Sequence, residues 1–403
     1  MDLKLALLSH EYPPYTFGGV GSFVHLLAEA LGAQGVSVCV VAGLPAGARA
    51  SKEQEKSFEL PNVNVVRFPY PNVAPRHLWF QVKNSERIRG VFRSQDVVHG
   101  QGACSYPAIR ASRRELPKVP WIVTFHSNPF REFRARATLR ALSGATPGDT
   151  LTFVAGFPVW QGVFLRELAL AQRAVTVSAA LADEVSGFAR GRRIDVVRNG
   201  VEVSSLSRVV QPKAASRAQG MQIVYAGRLY LGKGILALLD VMRILVEKKG
   251  LRDLRLLVFG KGPLEAKARR TVLNYSLQGN VEFMGLVPRS QVLSSIAGSD
   301  ALALPSTYEA NPIVALEAAA LGKPVVAFNH PFSREIIVDG QTGFLANNEE
   351  DFADRIEQLY RSHDLGRRMG DAARLYALKN FDAEQMARRY LDIYLSAIHE
   401  NPG

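Results

Sequence analysis

The chain has 403 residues, a formal charge of +12 and 47% hydrophobic residues. This length exceeds one ordinary domain, so we expect two domains of about 200 residues, each large enough to bury a core. With 21% charged residues and no low-complexity run, the composition excludes a disordered chain, a collagen-like chain and a coiled coil.

Cysteines and apolar stretches indicate the compartment. Cys39 and Cys104 are the two cysteines, too few for a disulfide framework or a cysteine-based zinc site. The N-terminus lacks the pattern of a secretory signal, and the longest apolar stretch, residues 151–165, is shorter than the ~20 residues of a membrane-spanning helix. We therefore expect a cytoplasmic protein without a transmembrane segment.

Short apolar runs alternate with helical patterns, which indicates parallel sheets covered by helices. In the first half we predict strands at 4–8, 37–41, 63–67, 96–99, 121–125 and 174–177, with helices at 20–31 and 180–189. After a turn at 198–200 and a polar stretch at 211–219, we predict strands at 222–226, 254–259, 281–284, 301–304 and 324–328.

This pattern predicts an α/β protein with two Rossmann-like, doubly wound domains that face each other across a cleft. We place them at residues 1–200 and 201–382. Ligands of such sheets bind beyond the carboxyl ends of the strands, so the functional residues should follow strands.

Two candidates follow strands of the first domain. Gly18 and Gly19 lie between the first strand and the first helix, where glycine lets backbone amides approach a phosphate or sugar; a plain tight turn is equally compatible. His126 follows the strand at 121–125. Its position favours a role in the cleft, and a structural hydrogen bond is the alternative.

The loop after strand 222–226 carries two cations. Residues 227–233 spell the start of a Walker A motif, but Gly234 stands where that motif needs Ser or Thr for magnesium, so a P-loop enzyme is disfavoured. Arg228 and Lys233 instead suit a departing diphosphate, whose growing negative charge fixed cations stabilise.

The loop after strand 301–304 leads into a predicted helix. Asn311 is a good N-cap and Pro312 suits the first helical position, so the helix should run to about Leu321. The first free amides, at Ile313 and Val314, can bind an anion.

Two carboxylates flank this helix start. Glu309 precedes it, and Glu317 lies among apolar residues, where it needs a hydroxyl or a cationic partner. The helix already rises roughly 9 Å between Asn311 and Glu317, so the two carboxylates cannot easily flank one glycosidic bond at the ~5–9 Å that hydrolases use. Glu309 and Glu317 instead fit the two ends of an extended ligand with phosphates between them. Alternatively, Glu309 is an exposed loop residue and Glu317 a carboxylate on the helix surface.

Taken together, these residues resemble the retaining, nucleotide-sugar-dependent glycosyltransferases of family 4, which have the GT-B fold. The similarity runs from Glu11 to about Tyr394, and its most specific element is the E-x7-E motif at Glu309 and Glu317. Supporting matches lie at 18–19, 124–126, 177–178, 199–201, 227–228, 233, 283–285 and 340–344.

The resemblance implies roles for these residues. Arg228 and Lys233 would hold the donor diphosphate, and Glu309 would contact the transferred sugar. Glu317 would bind the ribose hydroxyls. The remaining roles are a donor contact from Gly18 and Gly19, a position beside the sugar or acceptor for His126, and a base contact from the backbone near Val287.

The resemblance also implies the reaction. A UDP- or GDP-sugar would donate its sugar with retained anomeric configuration, without metal or other cofactor, by a front-face route. The helix within residues 383–403 would cross back to the first domain. Ala310, Asn311 and Pro312 replace the Gly-Phe-Gly or Gly-Phe-Pro that often follows the first glutamate, so the sugar preference could differ.

The basic charge is concentrated on the expected acceptor side. Residues 76–140 carry 13 Lys and Arg against 4 Asp and Glu. Four arginines interleave with Phe130, Phe133, Leu139 and Leu142, a pattern typical of a basic amphipathic helix at the anionic inner surface of a membrane; they are Arg131, Arg134, Arg136 and Arg140. The alternative is a solvated basic face together with a buried helix under the domain.

A membrane-surface position would make lipid or polyol-phosphate acceptors, besides glycans, the expected partners. Nucleic acid is not expected, because basic charge without a recognition motif is poor evidence. Two other functions remain open: a nucleotide-sugar epimerase of the same fold, and a non-catalytic basic protein at membranes. A scaffold would not need Arg228, Lys233, Glu309 and Glu317 together.

Overall fold

A computed structural model of the chain divides into two compact units. Unit 1 comprises residues 1–131, 146–200 and 383–403; unit 2 comprises residues 132–145 and 201–382. The structure describes residues 3–16, 18–48, 51–72, 76–102, 105–140, 147–203, 206 and 220–401, and of residues 52, 53, 77, 78, 135–140 and 147–155 it describes the backbone alone. The polar stretch at 211–219 and Cys104 lie outside these residues.

Unit 1 contains a parallel sheet of seven strands in the order β3-β2-β1-β4-β5-β6-β7. The strands are β1 (Lys4–Ser9), β2 (Ser37–Pro45), β3 (Val63–Tyr70), β4 (Val97–Gln101), β5 (Trp121–Phe125), β6 (Arg173–Thr176) and β7 (Ile194–Val196). The helices along this part of the chain are α1 (Gly19–Ala33), α2 (Lys52–Lys56), α3 (Arg76–Phe92), α4 (Tyr106–Glu115), α5 (Pro129–Arg140), α6 (Pro147–Leu170) and α7 (Ala179–Ser186).

The central strand of this sheet is β1, which pairs with β2 on one side and β4 on the other. Its apolar run, Leu5 to Leu8, is fully buried, as expected for a parallel strand covered on both faces. Strand order reverses between β1 and β4, so the carboxyl ends of these strands form the position where such sheets bind ligands.

Unit 2 contains a second parallel sheet, of six strands, in the order β10-β9-β8-β11-β12-β13. The strands are β8 (Gln222–Ala226), β9 (Arg255–Phe259), β10 (Val281–Gly285), β11 (Ala301–Leu304), β12 (Val325–Phe328) and β13 (Gly343–Ala346). The helices are α8 (Ile235–Arg243), α9 (Glu265–Asn274), α10 (Arg289–Gly298), α11 (Ile313–Ala320), α12 (Pro331–Ile336), α13 (Glu349–Arg361) and α14 (His363–Asn380).

The last helix, α15 (Ala383–His399), belongs to unit 1. Its Tyr390 and Tyr394 are fully buried. The Tyr394 hydroxyl lies 2.7 Å from Nδ1 of His99 in β4, and the Tyr390 hydroxyl lies 2.9 Å from Oγ1 of Thr124 in β5. Aromatic burial and buried hydrogen bonds therefore fix α15 to the sheet of unit 1.

The α/β prediction is confirmed, and all eleven predicted strands occur with small differences at their ends. Two strands were missed. β7 has three half-buried residues, one of them Asp195, and β13 begins with glycine and has only three apolar residues after it, so neither shows the continuous apolar run of at least four residues that indicates a buried strand. Among the described residues, no helix has the length and apolarity needed to cross a membrane.

Candidate active site

The loop after β8 packs against the loop after β9 through glycines. The Leu229 amide donates to the Lys261 carbonyl at 3.0 Å. A Cβ atom on Gly260 would lie 2.0 Å from the Gly227 carbonyl oxygen, and one on Gly262 would lie 2.3 Å from the Leu229 carbonyl oxygen. Only glycine allows this approach, which places the Gly227–Lys233 loop at the carboxyl edge of the sheet.

Gly234 ends this loop in the left-handed region, with φ of +71°. A Cβ atom there would lie 1.9 Å from the Pro305 carbonyl oxygen, so neither the Ser nor the Thr of a Walker A motif fits. The Thr307 amide donates to the Gly232 carbonyl at 3.0 Å. These contacts bring the loop after β11 against the loop after β8.

Lys233 and Glu309 meet where these loops join. Lys233 Nζ forms an ion pair with Glu309 Oε1, and Ser306 Oγ donates to the same oxygen at 2.9 Å. The Glu309 side chain is 11% exposed. Burial, with the nearby Glu309 charge, raises the pKa of the Tyr225 hydroxyl. The structure thus brings together two residues that the sequence implicated separately.

Arg228 differs from Lys233 in its surroundings. Its guanidinium carbon lies 5.5 Å from the centroid of the Tyr230 ring. Within the described part of the chain it makes no ion pair, whereas Lys233 is paired with a carboxylate. Arg228 therefore presents an uncompensated positive charge at the end of β8.

Glu317 lies inside α11 and is 6% exposed. Its Oε1 accepts hydrogen bonds from Nε (2.8 Å) and Nη2 (2.5 Å) of Arg289, the first residue of α10. Burial raises the pKa of Glu317, and the Arg289 charge opposes that rise. The predicted need for a hydroxyl or cationic partner is confirmed.

The partner itself, Arg289, was missed by the sequence analysis. One signal could have found it: a cation in the first turn of a helix lies at the positive end of the helix dipole, which disfavours it unless a carboxylate is near. Val287, two residues earlier, packs on the core of unit 2 at the same edge of the sheet.

The start of α11 differs from the prediction. The helix begins at Ile313, and Pro312 is the extended residue before it, with φ of −71° and ψ of 109°. The Pro312 carbonyl accepts the first helical hydrogen bond, from Ala315, at 3.0 Å. The prediction of Asn311 as the N-cap was therefore wrong, since the fixed φ of proline lets Pro312 hold that position. The Ile313 and Val314 amides begin the helix, before any intrahelical acceptor.

The glycine turn of unit 1 is held by a carboxylate. The Gly18 amide donates to Glu11 Oε2 at 3.0 Å, and His10 Nε2 lies 3.4 Å from Glu11 Oε1. Gly18 and Gly19 are exposed at the start of α1. Both predicted alternatives, a tight turn and a ligand-binding loop, fit this geometry.

His126 is half-buried directly after β5. Its Nε2 lies 2.8 Å from Gln101 Oε1, and its ring packs edge-on against Phe23 at 4.8 Å between centroids. Burial lowers the pKa of His126 to about 4, so the ring is neutral at pH 7.

The basic segment is only partly described. Phe130 stacks on Phe188, with 4.5 Å between centroids, and packs against Phe164, so its ring is used inside unit 1. Arg131 lies 3.6 Å from Glu184 and is 58% exposed; Arg134 is also exposed. The remaining members lie outside the described side chains: Arg136, Arg140, Leu139 and Leu142.

Comparison with known proteins places this chain in a family. The model of Glycosyltransferase Family 4 matches residues 17–205, and the model of Glycosyl transferases group 1 matches residues 210–376. The glycogen synthase of Mycobacterium tuberculosis is 27% identical over 98% of this chain and 95% of its own length. The D-inositol 3-phosphate glycosyltransferase of Pseudarthrobacter chlorophenolicus is 27% identical over 99% of this chain and 97% of its own.

A solved structure shows the same fold. Anabaena Alr3699/HepE in complex with UDP-glucose matches with a TM-score of 0.69 and 18% identity, over 98% of this chain and all of that one. Because the family models match both halves of the chain and the two parallel sheets match those of the solved structure, this chain belongs to the family 4 glycosyltransferases and has their GT-B fold.

Proposed function

We propose that this glycosyltransferase retains the anomeric configuration of the transferred sugar, and that unit 2 binds a nucleoside diphosphate sugar. The observation that carries the proposal is the cluster at the carboxyl edge of the second sheet. There, Lys233 contacts Glu309, Arg228 is unpaired within the described residues, and Glu317 is buried against Arg289.

Different groups of unit 2 bind the diphosphate, the ribose and the base of the donor. Arg228, Lys233 and the amides of Ile313 and Val314 hold the diphosphate, because cations and a helix N-terminus both attract phosphate. Glu317 accepts hydrogen bonds from the ribose, and the backbone near Val287 contacts the base. UDP is the first nucleotide to test, since the structural neighbour named above was solved with UDP-glucose.

The chemical step breaks the bond between the anomeric carbon and the diphosphate oxygen. The bonding electrons leave with the diphosphate, where Arg228 and Lys233 stabilise the added charge. The acceptor oxygen bonds to the anomeric carbon on the face that the diphosphate leaves. Its proton passes to a phosphate oxygen of the leaving group, so that the step needs no metal.

Glu309 orients the sugar in this proposal. Its Oε1 is held by Lys233 and Ser306, so one cation links the sugar-binding carboxylate to the diphosphate. The loop that begins with Glu309 continues through Asn311 and Pro312, which replace the more common residues of the family and set the shape of the sugar pocket.

Unit 1 binds the acceptor. We assign Gly18 and Gly19 to a donor contact from this unit and His126 to the sugar or acceptor. A neutral imidazole donates and accepts hydrogen bonds without a charge, which suits a hydroxyl-bearing ligand.

For the acceptor we favour a phosphorylated polyol. One relative at 27% identity is a D-inositol 3-phosphate glycosyltransferase, and the excess basic charge of residues 76–140 suits an anionic acceptor. A lipid acceptor at the inner membrane face is the second candidate. It is favoured by exposed apolar side chains on α6, namely Val159, Trp160 and Leu165.

The decisive experiment has two stages. A thermal-shift screen of UDP-, GDP- and ADP-sugars identifies the donor, with UDP-sugars expected to stabilise the protein. NMR of the anomeric proton in the product then shows the stereochemistry. Retention is expected, and an inverted product would overturn the mechanism. Interconversion of the donor sugar without transfer would instead support an epimerase.

Liposome flotation separates the acceptor candidates. If a membrane surface is used, vesicles with anionic lipid carry the protein and neutral vesicles do not. The combined variant Arg131→Gln, Arg134→Gln should then float less than a control with Arg367→Gln and Arg368→Gln, two exposed arginines of α14. Absence of binding to both vesicles would remove the lipid candidate.

A further inference from the structure

The contact between Arg289 and Glu317 is asymmetric. The Glu317 side chain is 8% exposed, whereas the Arg289 side chain is 58% exposed. Both guanidinium donors, Nε and Nη2, bind the same carboxylate oxygen, Oε1. Within the described residues, Oε2 has no hydrogen-bond donor. Arg289 therefore holds Oε1, and Oε2 can still accept a hydrogen bond from a ligand.

A buried carboxylate needs such a contact to stay ionised. Burial raises the pKa of Glu317, and the charge and hydrogen bonds of Arg289 lower it. A neutral carboxyl would present a hydroxyl and would accept hydrogen bonds more weakly than a carboxylate.

The two donors also fix the side chain in space. Two hydrogen bonds from one planar group restrict the rotation of the carboxylate. Because Arg289 begins α10, directly after the loop that contains Val287, its position is fixed by the same chain segment that we assign to the base of the donor.

We propose that Arg289 is a positioning residue for donor binding: it holds Glu317 through Oε1 so that Oε2 accepts hydrogen bonds from the ribose hydroxyls. This inference rests on the proposed function, and it assigns to Arg289 no contact with the reacting atoms. Its loss should weaken donor binding and leave the chemical step nearly unchanged.

The test compares Arg289→Gln, Arg289→Lys and a matched control, Arg361→Gln. Arg361 makes the same two-donor contact, from Nε (2.7 Å) and Nη2 (2.6 Å), to Oε1 of Glu357, and it is 65% exposed. It lies at the last residue of α13, and helix ends of this kind lie at the amino edge of a parallel sheet, away from the strand-end loops.

For Arg289→Gln we expect the donor KM to rise about tenfold to hundredfold, the loss typical of charge-assisted hydrogen bonds, with kcat within about threefold. The acid limb of the kcat/KM profile should move to higher pH, because Glu317 then loses its counter-charge. Arg289→Lys should restore part of both effects, and Arg361→Gln should match the wild type.

A ligand pair separates positioning from a merely structural role. Wild-type protein should bind UDP more tightly than 2′-deoxy-UDP, and Arg289→Gln should bind both equally weakly. An unchanged preference in Arg289→Gln, or a fall in kcat at unchanged KM, would overturn the proposal.

Failure of the proposed function would look different. In that case the wild type would bind none of the nucleotides and turn over no UDP-, GDP- or ADP-sugar, before any variant is compared. A variant that does not fold is recognised by its thermal midpoint, and Arg289→Lys then carries the test.

Discussion

The two sheets carry different kinds of polar group at and near their carboxyl edges. In unit 2, two carboxylates are each held by a cation: Glu309 by Lys233, and Glu317 by Arg289. In unit 1, the buried polar residues of β4 and β5 are neutral: His99 binds Tyr394 and Thr124, and Thr124 binds Tyr390.

This contrast follows from burial. Burial lowers the pKa of His99 to about 3, so the network in unit 1 stays uncharged at physiological pH. Unit 2 instead keeps its two carboxylates charged by pairing each with a cation. The contrast is thus between paired charges in the strand-end loops of unit 2 and an uncharged hydrogen-bond network on β4 and β5 of unit 1.

The largest expected effect is on turnover. Lys233→Met should lower kcat/KM for the donor by about 10²- to 10³-fold, because a cation facing the leaving group is lost. Steady-state kinetics checks this. Lys249→Met is the matched control, since Lys249 is 21% exposed against 24% for Lys233 and also pairs with carboxylates. Equal effects of both variants would show that the Lys233–Glu309 pair has no special role in turnover.

Substitution of Gly234 tests how the loop after β8 is held against the loop after β11, the contact that brings Lys233 to Glu309. Gly234→Ala should destabilise unit 2 by more than about 2 kcal/mol, because strain of about 1–2 kcal/mol at positive φ adds to a clash with the Pro305 carbonyl. Gly250→Ala, with φ of +73° and nothing within 4 Å, measures the strain alone. Urea unfolding followed by circular dichroism should therefore separate the two variants; equal losses would show that the clash is relieved at no cost.

The neutral network should appear in the pH dependence of unit 1. Unfolded His99 binds a proton below its ordinary pKa of 6.5, and folded His99 binds one only below about 3. Stability is therefore lost as the pH falls below 6.5, by about 1.4 kcal/mol per pH unit for this group.

His99→Gln should remove that slope, leaving a variant whose stability changes less between pH 7 and pH 5. All three tryptophans, Trp79, Trp121 and Trp160, lie in unit 1. Urea unfolding followed by tryptophan fluorescence therefore reports unit 1 directly. An unchanged slope in the variant would contradict the neutral assignment of His99.

The smallest expected effect concerns a neutral donor within the charged edge. Ser306→Ala removes the 2.9 Å hydrogen bond to Glu309 Oε1 and should lower kcat/KM about tenfold, equivalent to about 1.4 kcal/mol. Lys233 still neutralises the carboxylate, so the loss should be well below that of Lys233→Met. A loss as large would mean that orientation, rather than charge, dominates at Glu309.

The sequence predicted most of the fold because the strands of both sheets are short apolar runs between helical patterns. It also predicted that Glu317 needs a partner, since a carboxylate inside an apolar helix face is costly. It misplaced the start of α11 by one residue, because Asn311 and Pro312 both carry signals for a helix start and local propensity does not rank them.

By itself, the sequence determined the two α/β domains, the strand-end loops and the identity of their charged residues, because apolar periodicity and residue type are local properties. Tertiary structure decided which charges meet. Lys233 and Glu309 are 76 residues apart, and Arg289 and Glu317 are 28 apart. Such pairs form because parallel strands bring the loops at their carboxyl ends to one edge, where burial leaves each carboxylate dependent on the cation beside it.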